Sequence, residues 1–283
     1  MRRRFQQVDV FSPLPFRGNP LAVVVDADGL STEEMRQFSR WTNLSETTFI
    51  LPPASAEADY RVRIFSLAQE LPFAGHPTLG SCHAWLAAGG VPRDAGRIVQ
   101  ECGAGLVPIR RGGHGLAFAA PPLLRAGPVD EAFVDQLAVV LGIARGEIVD
   151  AQWADNGPGW VAVLLRDADA VLALEPDFSR YSGGEALNIG IVGAYPPGAE
   201  CAWEVRAVFS DEQGAMREDP VTGSLNASLA QWLLATGRAT APYVASQGTR
   251  LGRAGRPRIE QDADGTVWVG GPAITRIQGE VDL

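Results

Sequence analysis

The sequence reads GHPTLGSCHAWLAAG at residues 75–89 and GSLNASLAQWLLATG at residues 223–237, and these two stretches decide the fold. Each begins and ends with glycine and encloses an apolar run without a polar face. A helix of that composition is normally buried. Glycine suits the end of a helix, and Pro77 suits the first turn of one. We therefore predict two buried helices, over residues 77–88 and 224–235.

The two stretches also resemble each other in detail. A Trp-Leu pair follows each opening glycine at nearly the same interval, and His76 and Ser224 lie about half the chain apart. A duplicated fold produces such internal sequence similarity, although two apolar helices can also be similar by chance. Around both stretches, short apolar or alternating runs bounded by turn residues predict strands. The pattern indicates an α+β fold of two pseudo-symmetric domains, each a mostly antiparallel sheet wrapped around a central helix.

The composition restricts the class of protein. A chain of 283 residues with 46% hydrophobic residues can form two globular domains, and its net charge of -9 argues against nucleic acid as a partner. The sequence offers no run of about 20 apolar residues for a membrane span, so we expect a cytoplasmic protein without a membrane partner. Every basic residue is arginine, so no lysine is present to bind pyridoxal phosphate. We predict no cofactor and no metal.

Glu46 is the first candidate for acid/base chemistry. It begins the apolar run 46–51, where a carboxylate would lose water unless the position opens into a polar cleft. Burial of that kind raises a carboxyl pKa toward neutrality, which suits a general acid or base. A solvated carboxylate at a strand edge, or one in a structural ion pair, is the alternative interpretation.

Further candidates flank the two predicted helices. His76 follows Gly75, and either it reaches the cleft as a neutral imidazole or it is a buried histidine satisfied by backbone groups. Asp219 and Ser224 lie around Gly223, where either could simply cap the helix. A helix start with small residues attracts a carboxylate through free N–H groups and the positive end of the dipole. We therefore expect both helix starts to face one cleft and to bind a small carboxylate.

Several ordered motifs together are similar to those of the phenazine-biosynthesis PhzF-like family, which has the diaminopimelate-epimerase-like fold. The resemblance covers nearly the whole chain. It rests on VDVF at 8–11, FRGNP at 16–20, LSETTF at 44–49, ELPFAGHPT at 70–78, EDPVTGS at 218–224, QG at 247–248 and VGG at 269–271.

The resemblance implies residue roles and an architecture. Glu46 matches the family's catalytic acid/base, with Asp219 and His76 beside it as further catalytic residues. The predicted substrate-binding residues are Asn19, Ser45, Gly75, His76, Gly223 and Ser224. The resemblance also implies a homodimer and a final strand that returns to the first domain. The predicted domains are residues 1–121 plus 272–283, carrying Glu46 and the Gly75-His76 helix start, and residues 122–271, carrying Asp219 to Ser224.

The predicted function is a cofactor-independent isomerase that moves a proton on a small, possibly cyclic carboxylate in the inter-domain cleft. Two alternatives stay open: an epimerase or racemase of amino or hydroxy acids, and a metabolite-binding protein without turnover. Related epimerases use two thiols, but Cys82, Cys102 and Cys201 lie outside both helix starts. The sequence departs from the family at Leu67, where proline is usual, and at Asn226, where histidine is frequent. The second departure puts the substrate in doubt more than the chemistry.

Overall fold

The computed structural model describes residues 1–181, 183, 186–210 and 215–283. The described chain divides into two compact units by its internal contacts. One unit comprises residues 1–119 together with 268–283, and the other comprises residues 120–267. The division lies a few residues before each boundary predicted from the sequence. The reason at the second boundary is that residues 268–271 pair with a strand of the first unit. The predicted domain boundaries stay predictions.

The helices and strands are numbered in chain order. The helices are α1 (Thr32–Thr42), α2 (Gly75–Ala87), α3 (Glu131–Leu141), α4 (Ala168–Ala173) and α5 (Gly223–Ala235). The strands are β1 (Arg2–Val10), β2 (Asn19–Val24), β3 (Glu46–Leu51), β4 (Tyr60–Ser66), β5 (Glu70–Leu71), β6 (Arg97–Cys102), β7 (Gly105–Gly112), β8 (Gly115–Ala119), β9 (Arg125–Pro128), β10 (Ile148–Asp155), β11 (Trp160–Leu165), β12 (Asn188–Ala194), β13 (Trp203–Ser210), β14 (Met216–Asp219), β15 (Tyr243–Gln247), β16 (Arg258–Gln261), β17 (Val267–Gly271) and β18 (Ala273–Asp282).

In the first unit, the strands surround α2. β1 pairs antiparallel with β2 and β18, and β8 pairs antiparallel with β7 and β17. Helix α2 contacts β1, β2, β3, β8 and β18, so strands reach it from several directions. Its residues from Gly75 to Cys82 are all buried, as expected for a helix without a polar face. Helix α1 packs elsewhere, through Met35 and Phe38 against Phe49 and Phe65.

In the second unit, the alternation of side chains along β11 separates two cores. Val161, Val163 and Leu165 pack with α3 in one cluster. Trp160, Ala162 and Leu164 pack with α5 in another. Because successive side chains of a strand point to opposite faces, β11 is buried on both faces and its whole run is apolar. Helix α5 is therefore the buried central helix of this unit.

The predicted fold class is confirmed, with one central helix and a mostly antiparallel set of strands in each unit. Both central helices begin earlier than the sequence suggested, at Gly75 and Gly223, so each glycine lies inside the first turn. Pro77 permits this start because proline's fixed φ and missing N–H are tolerated in a first turn. No helix among the described residues is long and apolar enough to cross a bilayer.

Candidate active site

Glu46 and His76 meet in the first unit. Glu46 begins β3, and His76 lies in the first turn of α2, which contacts that strand. Oε2 of Glu46 lies 3.2 Å from Nε2 of His76, and the Glu46 side chain is 17% exposed. A carboxylate with that exposure has lost most of its water and still has an open side. This is the partly dehydrated position that acid/base chemistry requires.

His76 is a neutral imidazole with one ring nitrogen next to Asn19 and the other next to Glu46. Burial lowers the pKa of His76 to about 3, so the ring carries no charge near neutral pH. Nδ2 of Asn19 lies 3.1 Å from Nδ1 of the ring, and an amide nitrogen only donates. With Asn19 as the donor, Nδ1 accepts and the ring proton lies on Nε2, toward Glu46. Nε2 is buried, and its geometry to Oε2 does not make a hydrogen bond. A polar group of a bound substrate could accept a hydrogen bond from Nε2 of His76.

The two central helices begin without a side-chain cap. Ser31 caps α1 and Asp130 caps α3, each accepting from a backbone N–H of the first turn. At α2 and α5 the capping positions are Ala74 and Thr222, and neither side chain makes such a bond. The first N–H groups of both helices are therefore left for another acceptor. Together with the helix dipole, they form the kind of site that binds a carboxylate.

Asp219 is a half-buried member of a polar network at the start of α5. Its Oδ2 accepts a hydrogen bond from the Thr222 hydroxyl at 2.5 Å. Gln247, on β15, accepts from the backbone N–H of Thr222 and from the amide of Asn226. The Asp219 carboxylate is thus bound by the side chain at the capping position of α5.

Ser224 lies in the first turn of α5 and has two neighbours from the β10–β11 segment. Its Oγ accepts from Nε1 of Trp160 at 3.4 Å, and its carbonyl accepts from Nδ2 of Asn156 at 2.9 Å. Because a carbonyl only accepts, the amide nitrogen of Asn156 must face Ser224. Its Oδ1 is then a buried acceptor without a donor among the described residues. An acceptor in that position would suit a hydroxyl or amino group of a ligand.

The family model described as phenazine biosynthesis-like protein matches residues 8–279 of this chain. The chain belongs to that family. It is 34% identical to Antisense-enhancing sequence 1 of Schizosaccharomyces pombe, over 98% of this chain and 97% of that protein. It is 35% identical to the trans-2,3-dihydro-3-hydroxyanthranilate isomerase of Pseudomonas aeruginosa, over 80% of this chain and 78% of that enzyme. Relatives in the family are thus named isomerases.

A solved structure agrees with the fold. The PhzF family phenazine biosynthesis protein of Bacillus anthracis superposes with a TM-score of 0.80 at 22% identity, and the match covers 100% of both chains. At that identity the likeness concerns the fold alone. The predicted membership of the PhzF-like family is therefore confirmed by the family model, and the fold by the superposition.

The predicted site residues fall into one group in each unit of this phenazine biosynthesis-like protein. The first unit brings together Asn19, Glu46 and His76, with Gly75 in the same helical turn as the histidine. Ser45 precedes Glu46 and is exposed. The second unit places Asp219 near Gly223 and Ser224. The roles predicted for these residues stay predictions.

The cysteines are placed for packing. All three are free and buried. Burial raises the pKa of Cys82 to about 12 and also raises the pKa of Cys102 and of Cys201. A thiol in that state does not supply the thiolate that two-thiol racemisation needs at neutral pH. This supports the sequence-based argument against such a mechanism.

The sequence did not mark Thr222 and Gln247 as site residues, and it indicated the loop from Asn156 to Trp160 as a pocket wall without its contacts to Ser224. Thr222 and Gln247 lie inside motifs on which the family resemblance rests, but those motifs do not predict which groups the two side chains contact. Asn156 and Trp160 bound a loop whose shape the sequence does not specify. Their proximity to Ser224 depends on the pairing of strands far apart in the chain, which local patterns do not encode.

Proposed function

We propose that this protein is a cofactor-independent isomerase in which Glu46 transfers a proton on a small carboxylate substrate. One observation supports the assignment above others: the largely dehydrated Glu46 carboxylate lies 3.2 Å from a neutral, buried His76 at an uncapped helix start. The pair combines a proton acceptor, a hydrogen-bond donor and a site for an anion. These are the groups that proton transfer next to a carboxylate needs.

The proposed reaction has two proton transfers and no net change in composition. Glu46 removes a proton from a carbon acidified by a neighbouring unsaturated group, and the electron pair shifts along the conjugated bonds. The protonated Glu46 then returns the proton to the far end of that system. His76 donates its Nε2 hydrogen bond to the substrate, and the N–H groups at the uncapped start of α2 bind the carboxylate. Neither an oxidant nor a reductant is required.

For the substrate, we propose a small and possibly cyclic carboxylate that carries a hydroxyl or amino group. The relative at 35% identity is named for trans-2,3-dihydro-3-hydroxyanthranilate, which has all of these features. The buried Oδ1 of Asn156, beside Ser224, supports the same class because it is an acceptor in need of a donor. Asn226, at a position where histidine is frequent in the family, is the reason to test substrates beyond that one compound.

Glu46→Gln tests the proposal directly. The amide keeps the shape of the side chain and loses its proton-accepting function, so turnover should fall at least about a hundredfold while ligand binding changes little. Turnover of dihydro-hydroxyanthranilate and a panel of cyclic carboxylates is followed by mass spectrometry, and binding by calorimetry. Glu57→Gln, at an exposed surface position, is the matched control. Normal turnover by Glu46→Gln would remove this residue from the mechanism.

A second candidate function, epimerisation of an amino or hydroxy acid, is favoured by a separate observation. Each unit carries one carboxylate near the start of its central helix, Glu46 in the first and Asp219 in the second. Epimerisation requires one group that removes a proton from a carbon and a second group that returns a proton to the same carbon. Reaction in heavy water separates the two functions, because epimerisation exchanges one carbon-bound hydrogen without moving a double bond. Binding of the panel without any product would instead favour a non-catalytic metabolite-binding protein.

A further inference from the structure

The orientation of the Gln247 side chain is determined by its neighbours. A backbone N–H can only donate, and that of Thr222 lies 3.0 Å from Oε1 of Gln247. The amide nitrogen of Asn226 donates to the same oxygen at 2.8 Å. Nε2 of Gln247 must therefore be on the other side, where it donates to the carbonyl of Asp219 and to the Thr222 hydroxyl. The residue is fully buried, so water does not compete for these bonds.

This orientation decides where the hydroxyl proton of Thr222 points. The hydroxyl oxygen already accepts from Nε2 of Gln247 at 3.0 Å. A hydroxyl has a single proton to donate, and Oδ2 of Asp219 lies 2.5 Å away. The proton is therefore directed at the Asp219 carboxylate. A hydroxyl bond to a carboxylate is short and stronger than a bond between neutral groups.

The first unit contains a counterpart that lacks the carboxylate. Gln100, on β6, donates from Nε2 to the Thr78 hydroxyl at 3.0 Å, and Thr78 donates to the carbonyl of Ala74 at 2.9 Å. Gln100 and Gln247 are separated by nearly the same interval as the two central helices. In both units a buried glutamine thus binds the first turns of the central helix. Within the described part of the chain, a hydroxyl proton of this network reaches an acidic side chain only in the second unit.

We propose that Thr222 is a positioning residue for Asp219, and that Gln247 sets the direction of its hydroxyl proton. The proposal rests on the proposed function in one respect: Asp219, a predicted catalytic residue, has to take part in the reaction in which Glu46 transfers the proton. The hydrogen bond from the Thr222 hydroxyl holds the Asp219 carboxylate in one rotamer. Loss of the hydroxyl should therefore reduce turnover more than substrate binding.

Thr222→Val and Thr222→Ser form the matched pair that tests the proposal. Valine has nearly the shape of threonine without the hydroxyl, and serine keeps the hydroxyl. Thr222→Val should lower kcat about tenfold or more with KM changed less than about threefold, and Thr222→Ser should stay within about threefold of the wild type. Equal and normal turnover in both variants would overturn the proposal. Thr222→Ala, which removes the same hydroxyl, takes the place of the valine variant if that variant does not fold.

A spectroscopic measurement separates failure of this proposal from failure of the proposed function. The 13C resonance of the Asp219 carboxyl group, assigned with Asp219→Asn, reports its hydrogen bond whether or not the protein turns over any tested compound. The resonance should move in Thr222→Val and stay near the wild-type position in Thr222→Ser. Thr78→Val, which removes the counterpart hydroxyl in the first unit, should leave it unchanged. An unmoved resonance in Thr222→Val would disprove the hydrogen bond even if isomerase activity is found.

Discussion

His76 shows how burial alone sets the chemistry of one residue. With 3% of its surface exposed, the imidazole has lost nearly all of its hydration, and this disfavours the charged form. An exposed histidine would be partly protonated near neutral pH, whereas this one is a neutral donor. A neutral donor next to Glu46 leaves that carboxylate able to accept a proton, because no full positive charge is present to hold it ionised.

The same burial makes the stability of the protein depend on pH. The pKa of His76 is about 3 in the folded chain and about 6.5 when unfolded, so the unfolded state binds one more proton between these values. Stability should therefore fall as pH decreases through this range. His76→Gln removes the proton-binding group, and its loss of stability between pH 7 and pH 5 should be about 2 kcal/mol smaller than in the wild type. Urea unfolding at both pH values measures the difference.

The control for this experiment is His114→Gln, since His114 lies in the exposed turn between β7 and β8. That variant should lose as much stability as the wild type on acidification. If His76→Gln lost as much stability on acidification as the wild type, His76 would have to be protonated in the folded wild-type protein.

At the residue scale, the sequence predicted individual candidates better than the contacts between them. Glu46 and His76 were candidates because of their local context, and the structure places their side chains 3.2 Å apart. The bonds of Gln247 to Thr222 and Asn226 join a strand to a helix that precedes it by some twenty residues. Such contacts follow from strand pairing and side-chain direction. Neither is encoded in a local motif.

Close packing of α2 on the strands is an element-scale property that depends on one glycine. A Cβ atom at Gly80 would lie 2.5 Å from Cδ2 of Leu21 and 3.1 Å from Cγ2 of Val10. Both neighbours are fully buried in β2 and β1, so neither side chain can move into open space. Glycine weakens a helix by about 1 kcal/mol relative to alanine. Glycine is nevertheless present at this position because only a residue without a Cβ atom permits the short distance between α2 and the strands.

Gly80→Ala should therefore destabilise the protein, although alanine is the better helix former. Overpacking typically costs about 1–3 kcal/mol, which exceeds the gain of about 1 kcal/mol in helix propensity. Chemical unfolding of the variant measures the net change. Adding Leu21→Val to Gly80→Ala removes one methylene near the new methyl group and should recover part of the loss. An alanine variant more stable than the wild type would show that the helix can shift outward.

The elements themselves were predictable where the sequence carried a local signal. Ser31 and Glu34 have the spacing of a capping box, a local signal for a helix start, and both of its hydrogen bonds are present at α1. The apolar run 46–51 forms β3. β5, β9, β14 and α4 carry no comparable signal. All four elements are short. A strand of two to four residues cannot show an alternating pattern of apolar and polar residues, and it forms because a neighbouring strand pairs with it.

At the scale of the whole molecule, the chain begins and ends in the same unit. Residues 1–119 and 268–283 form the first unit, and the second unit is one continuous segment between them. β1 and β18 pair antiparallel along their full lengths, from Arg2 opposite Asp282 to Val10 opposite Ala273. The terminal residues add backbone bonds in both directions between Met1 and Leu283. The two chain ends are thus neighbours in an antiparallel pair, like strands that a tight turn could join.

A circular permutant tests this organisation. An Asn-Gly linker from Leu283 to Met1 would make β18 and β1 a hairpin, since two-residue turns of this type suit antiparallel strands. New ends between Pro122 and Leu123, in the segment that joins the units, break no helix or strand. We expect the permutant to fold with a thermal midpoint within about 5 °C of the wild type, because permutation at such sites is generally tolerated. A permutant opened between Val163 and Leu164, inside the buried β11, is the control and should not fold. If the first permutant failed as well, the continuous chain between Pro122 and Leu123 or the separate ends of β1 and β18 would be required for folding.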